Sequence, residues 1–122
     1  MIRQIRIKAT VAAGATTAST TSEFINGEIL KVAFDVTGDS MDINIDSVGE
    51  MKAQAILDYT GNTDSTFYPR TSAQTNAGTA KVYLSTDTAE VPVPYCVFGK
   101  LTLSLASAAP AETVTATVTY RT

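Results

Sequence analysis

Residues 95–120 read YCVFGKLTLSLASAAPAETVTATVTY, and the alternation in this stretch decides the fold class. Tyr95, Val97, Gly99, Leu101, Leu103 and Leu105 share one parity, while Cys96, Phe98, Lys100, Thr102 and Ser104 share the other. Val114, Ala116, Val118 and Tyr120 alternate in the same way with Thr113, Thr115, Thr117, Thr119 and Arg121. Side chains of a strand point to opposite faces with a period of two, so each run has one face to bury and one to leave wet. Residues 107–112, with Pro110, break the pattern and predict a hairpin that makes the two runs adjacent central strands. Leu101, Leu103, Val114 and Val118 are then expected to be almost fully buried. A lone hairpin does not stay folded in water, so the rest of the chain must supply strands to cover this face.

It does so on both sides of the sequence. Residues 4–11 predict a first strand, with Ile5, Ile7, Ala9 and Val11 inward and Arg6, Lys8 and Thr10 outward. Leu30, Val32, Phe34 and Val36 form the inner face of another, and Met41, Ile43, Ile45 and Ser47 of a third. Gly38-Asp39-Ser40 between these two predicts a second hairpin, and Asn26-Gly27 suits a tight turn with positive φ. Residues 48–59 are ambiguous. Glu50, Met51, Lys52, Ala53, Gln54 and Ala55 favour a helix, yet a strand from about Ala53, with Ala53, Ala55, Leu57 and Tyr59 inward, suits its strand neighbours better; a one- or two-turn helix is the alternative. Ala80, Val82 and Leu84 make a short strand, and Val91-Pro92-Val93-Pro94, lacking two backbone donors, is either a sheet edge or an extended approach to the strand that starts at Tyr95. Seven or eight short strands without a confident long helix predict an all-β chain, an antiparallel β-sandwich or a small barrel.

Two stretches lack periodicity. Residues 12–22 are almost wholly Ala, Gly, Thr and Ser, too small to repay ordering entropy, so they predict a flexible loop or an arm that orders on a neighbouring subunit. Residues 60–78 are longer than most loops of compact domains, and such loops often carry interactions. Within them Phe67, Tyr68, Pro69 and Arg70 are the candidate interface, because aromatic and arginine side chains are enriched at contact hot spots. The plainer reading is that Phe67 and Tyr68 pin the loop to the core.

With 122 residues the chain is one domain's worth, residues 1–122, burying roughly two-thirds of its unfolded surface. Thr, Ser and Ala take the places that Lys and Glu usually fill, and Thr suits a pleated sheet. Net charge is -3 and the basic residues are scattered, with Arg3, Arg6 and Lys8 the only local group, so no nucleic-acid partner is expected. No apolar run approaches a membrane span and residues 2–9 alternate with charges, so neither membrane nor export signal is expected. Cys96 cannot form an internal disulfide, and its place in an apolar run predicts a buried thiol. Synthesis and folding in a reducing cytoplasm follow as the simplest expectation.

Chemistry is constrained by what is missing. The chain has no histidine, which excludes Ser-His-Asp and Cys-His constellations and histidine metal sites. Asp42 with Asp46, and Asp58 with Asp64, could pair as carboxylates but read as solvated strand and loop charges. Asp42-Ile43-Asn44-Ile45-Asp46 begins like a calcium loop, but Ser47 replaces the required glycine and Ala53 the closing glutamate. No enzyme, cofactor or metal is expected.

Ile25-Asn26-Gly27-Glu28-Ile29, then Tyr68-Pro69-Arg70, then Val97-Phe98-Gly99-Lys100-Leu101 ahead of a terminal Thr/Val strand resembles small virion proteins of tailed bacteriophages. These include capsid decoration (cement) proteins of β-sandwich or jelly-roll form. The resemblance implies a non-enzymatic structural protein of the virion, made in the host cytoplasm, that binds the outer surface of the major capsid protein and self-associates, a trimer being favoured. It transfers no catalytic residue, and residues 12–22 have no counterpart in it. A second class fits the composition too: a ligand- or carbohydrate-binding sandwich such as a fibre or adhesin tip, in which Phe67, Tyr68 and Tyr83 would serve in place of the absent Trp.

Overall fold

The computed structural model describes residues 1–49, 53–72 and 91–122. Among them the chain is all-β. Ten strands follow in order: β1 (Ile2–Thr10), β2 (Ala18–Thr21), β3 (Ile25–Thr37), β4 (Met41–Val48), β5 (Ala55–Gly61), β6 (Ser65–Phe67), β7 (Arg70–Ser72), β8 (Pro92–Pro94), β9 (Cys96–Ala106) and β10 (Thr113–Arg121). Eight of them belong to one antiparallel hydrogen-bonded sheet, and β7 and β8 pair separately. The sheet is bent over on itself as a β-sandwich. One half carries β1, β10, β3 and β6; the other carries β2, β9, β4 and β5.

β3 is the corner. Its first residues, Ile25 to Glu28, pair with Gly99 to Cys96 of β9, and from Glu28 on it pairs with β10. Leu30 is an extra residue opposite the step from Thr119 to Tyr120, a bulge that bends the strand and switches its parity. Ile25 and Ile29 are therefore buried before the bulge, and Val32 and Phe34 after it. Asn26-Gly27 lies inside β3 and not in the tight turn its composition suggests. The glycine answers a different need: a Cβ at Gly27 would sit 2.3 Å from the Arg121 carbonyl oxygen, so only a bare backbone lets the two strands converge at the corner.

Apart from β5 and from Leu30, which is expected inward but is the bulge residue of β3 and lies outside the core cluster, the inward parities are those read from the sequence. Leu101, Leu103, Val114 and Val118 are buried, as are Met41, Ile43, Ile45 and Ser47 and, on β1 and just past it, Ile7, Ala9 and Val11. One apolar cluster joins both halves.

The pairing differs. Strands β9 and β10 are not neighbours: β10 lies between β1 and β3, and β9 between β4 and the run formed by β2 and the start of β3. β3 and β4 are likewise separated. Residues 107–112 and 38–40 are thus arches that carry the chain from one half of the sandwich to the other. A hairpin requires partners in the same sheet plane, whereas these connections meet each other at one end of the sandwich. Gly38 holds φ at +119° with the Glu112 side chain packed against it, and the Asp39 N–H donates to Glu112 Oε1 at 2.9 Å. The Val11 N–H donates to the Glu112 carbonyl, also at 2.9 Å, so one buried residue ties three connections together.

Further expectations are corrected or placed. Residues 12–22 contain β2, which pairs with β9, and Leu101 N donates to Ser22 Oγ at 2.9 Å; Thr-rich sequence here serves as strand, not as a free arm. β5 is a strand, but a bulge at Ile56, the extra residue opposite Ile45 and Asp46, buries Ile56 and leaves Ala53 and Ala55 exposed, with Leu57 and Tyr59 against the core. Cys96 is exposed because it shares the outward parity of Phe98 and Lys100. β8 is an edge strand, as its prolines require. The expected strand at Ala80, Val82 and Leu84, and Tyr83, lie outside the described residues, as do residues 50–52 of the ambiguous segment and 73–78 of the long loop.

Candidate functional site: an exposed aromatic face

The segment singled out for contact is divided by the structure. Phe67 ends β6 and its ring packs 5.9 Å from Phe34 and 5.0 Å from Tyr59, centroid to centroid. Pro69 is buried. Arg70 turns back on the fold: its Nη1 donates to the Leu30 carbonyl at 3.2 Å and to the Pro69 carbonyl at 2.7 Å, meeting backbone acceptors beside the Leu30 bulge. Arg70 stays exposed while making these bonds, and Tyr68 points to solvent, 63% exposed, with no such tie to the fold among the described residues. Phe67 thus closes the sandwich where β6 lies on β3, and Tyr68 remains available for contact.

A second group of rings lies elsewhere. Phe98 on β9 has the outward parity of Cys96 and Lys100, and Phe24 stands just before β3. Their centroids are 4.9 Å apart with planes at 89°, an edge-to-face pair in which Phe24 is 55% and Phe98 63% exposed. Such a pair gains about 0.5–1.5 kcal/mol beyond its burial, which fixes the ring geometry without hiding it from water. Val48, opposite Lys100 on β4 and therefore diagonal to Phe98, is exposed on the same face. Beside the rings a shallow cavity of about 350 Å³ is lined by Asn26, Glu28, Cys96, Phe98 and Arg121. Arg121 and Glu28 form an ion pair on its wall, both side chains partly exposed.

This face was legible in part. Phe98 was already on the polar parity of its run, an apolar ring where Thr, Ser and Lys otherwise stand. Phe24 carried no such signal, because it lies outside any alternating run.

The remaining candidates have structural partners. Asp42 Oδ1 accepts the Thr60 hydroxyl at 2.7 Å, and Asp64 Oδ1 accepts the Val36 N–H at 2.9 Å. Asp42 and Asp46 both lie in β4, paired on each side, so the stretch resembling a calcium loop is regular strand. Among the described residues no group of three or more Cys, Asp or Glu side chains is placed to hold a metal ion. No helix of the described chain is long and apolar enough to cross a membrane. Comparison of the chain with family models, with curated proteins and with solved structures returned no match in any of the three.

Proposed function

We propose that the chain is a non-enzymatic virion structural protein, a decoration protein that binds the outer surface of a capsid as a homo-oligomer. The observation that carries this reading is the Phe24–Phe98 pair, two rings left more than half exposed on the outer side of a sandwich whose opposite outer side is mainly Thr and charged residues. Exposed apolar groups grouped in one place mark contact surfaces. Rings at 89° make a ridge, which fits a groove on a protein better than the flat stacking platform a sugar ring needs. The resemblance of residues 25–29, 68–70 and 97–101 to decoration proteins supports the same reading.

Valency matters for so small a patch. Two phenylalanines and Val48 give a weak contact per copy, and a trimer on a symmetric lattice multiplies it by effective concentration. The test is co-sedimentation of the purified chain with undecorated shells of the virus that encodes it, read by gel densitometry and native mass spectrometry. Saturation at a fixed ratio to the major capsid protein, in steps of a defined oligomer, is expected. A chain that stays in the supernatant at micromolar concentration refutes the proposal.

A further inference from the structure

The free edge of β1 has a direction and a charge. The Lys8 carbonyl accepts the Thr20 hydroxyl at 2.9 Å, whereas the backbone groups of Met1 and Val11 bond toward Thr122, Ala111 and Glu112 on the β10 side. In an antiparallel strand the N–H and C=O of one residue point the same way and successive residues alternate. Odd-numbered residues of β1 therefore bond β10, and Ile2, Gln4, Arg6 and Lys8 turn their backbone groups to the other edge. Of these, among the described residues, only the Lys8 carbonyl meets a partner. Between this edge and β2 lies a slot of about 360 Å³ lined by Ile5, Arg6, Lys8, Thr20, Ser22 and Glu23, closed at the Lys8 end by Thr20.

We infer that the β1 edge receives an extended segment of a partner protein by strand addition, and that this segment alternates apolar with acidic side chains. Backbone pairing supplies the attachment, and the two parities of β1 supply the selection. On the inward parity Ile5 is only half-buried, and an apolar side chain from an added strand would cover it. On the outward parity Arg6 and Lys8 are exposed, with Arg3 on the same strand, so acidic side chains opposite them gain cross-strand charge pairs. Glu23 is the one acid lining the slot. A second copy of β1 is the wrong occupant, since that strand holds no acidic residue to set against Arg6 and Lys8. The chain's own alternating acidic run, Asp42-Ile43-Asn44-Ile45-Asp46, is already paired by β5 and β9. This inference stands on the β1 edge alone and does not require the capsid reading.

Amide hydrogen exchange on the full chain tests it residue by residue. The probe is a capped seven-residue peptide alternating Glu and Val, with a Lys/Val peptide as control. In the free chain Ile5 and Ile7 should exchange slowly, and Gln4 and Arg6 fast. Saturating Glu/Val peptide should slow Gln4 and Arg6 by roughly ten-fold or more and leave the odd residues as they were. Each cross-strand charge pair is worth about 1.4- to 5-fold in affinity, so Arg6→Glu with Lys8→Glu, two exposed changes, should shift the preference toward Lys/Val at least about five-fold. Slow exchange of Gln4 and Arg6 without peptide, equal binding of both peptides, protection centred on Phe24 and Phe98, or a short oligonucleotide outcompeting the Glu/Val peptide would each overturn the inference.

Discussion

Phe34, Tyr59 and Phe67 form one group of rings, and Phe24 and Phe98 another, with similar spacings and opposite fates. The first group joins β3, β5 and β6, with centroids 5.0–6.0 Å apart, and Phe34 at its centre is 3% exposed. The second is as tightly paired at 4.9 Å, yet each ring keeps over half its area in water. Ring contacts do not separate them; the parity of the strand position behind them does. Phe34 follows the Leu30 bulge on the inward side, and Phe67 pairs Val32 across the β3–β6 ladder. Phe98 faces away from Val97 and Gly99, which carry the core. An aromatic in a long polar stretch therefore became closure, and one in an apolar run became surface.

The largest expected effect tests the first half of that contrast. Phe34→Ala removes a buried ring that touches two others and should cost about 3–5 kcal/mol, with a fall in Tm of roughly 10 °C or more in thermal unfolding. A loss below about 1 kcal/mol would mean that the three rings rest on the sandwich and do not complete it.

Parity explains what could be read from sequence and what could not. A period of two assigns faces, so Leu101, Leu103, Val114 and Val118 were identified as core from their spacing alone. It does not assign neighbours. A short break such as 38–40 or 107–112 fits a hairpin and an arch equally well; Gly38 at φ +119° against the buried Glu112 carboxylate is a long-range fit that no local pattern encodes. Bulges at Leu30 and Ile56 then shift parity in mid-strand, which is why Ala55 was expected inside and is found exposed. The candidate contact segment suffered from the same gap. Between contact and core packing the sequence could not decide for Phe67, and it gave no sign that Pro69 is buried, because β6 and its partner on β3 are invisible in a three-residue run.

An intermediate effect separates the two halves of that segment. Arg70→Ala loses the donation to the Leu30 carbonyl and should destabilise by about 0.5–1.5 kcal/mol in urea unfolding. Tyr68→Ala, at an exposed position, should stay within about 0.5 kcal/mol of the parent. Equal losses from the two would show that Tyr68 also packs on the fold, and the division drawn between them would disappear.

The smallest effect on stability is expected where the effect on binding is largest. Phe24→Ser with Phe98→Ser removes the edge-to-face pair, worth about 0.5–1.5 kcal/mol, and also removes apolar area from water. These terms oppose each other, so Tm should move by no more than a few degrees. Neither ring belongs to the buried cluster, and β9 keeps its ladder with β4 through the residues that follow Gly99. On the proposed function, capsid pelleting by the same double variant should fall to background, because a homo-oligomer would lose the ridge on every copy at once. The reverse pattern, a Tm lower by ten degrees with pelleting intact, would put the second pair in the same class as the first. The two groups of rings would then differ in exposure only, and the contact surface would have to be sought at Tyr68.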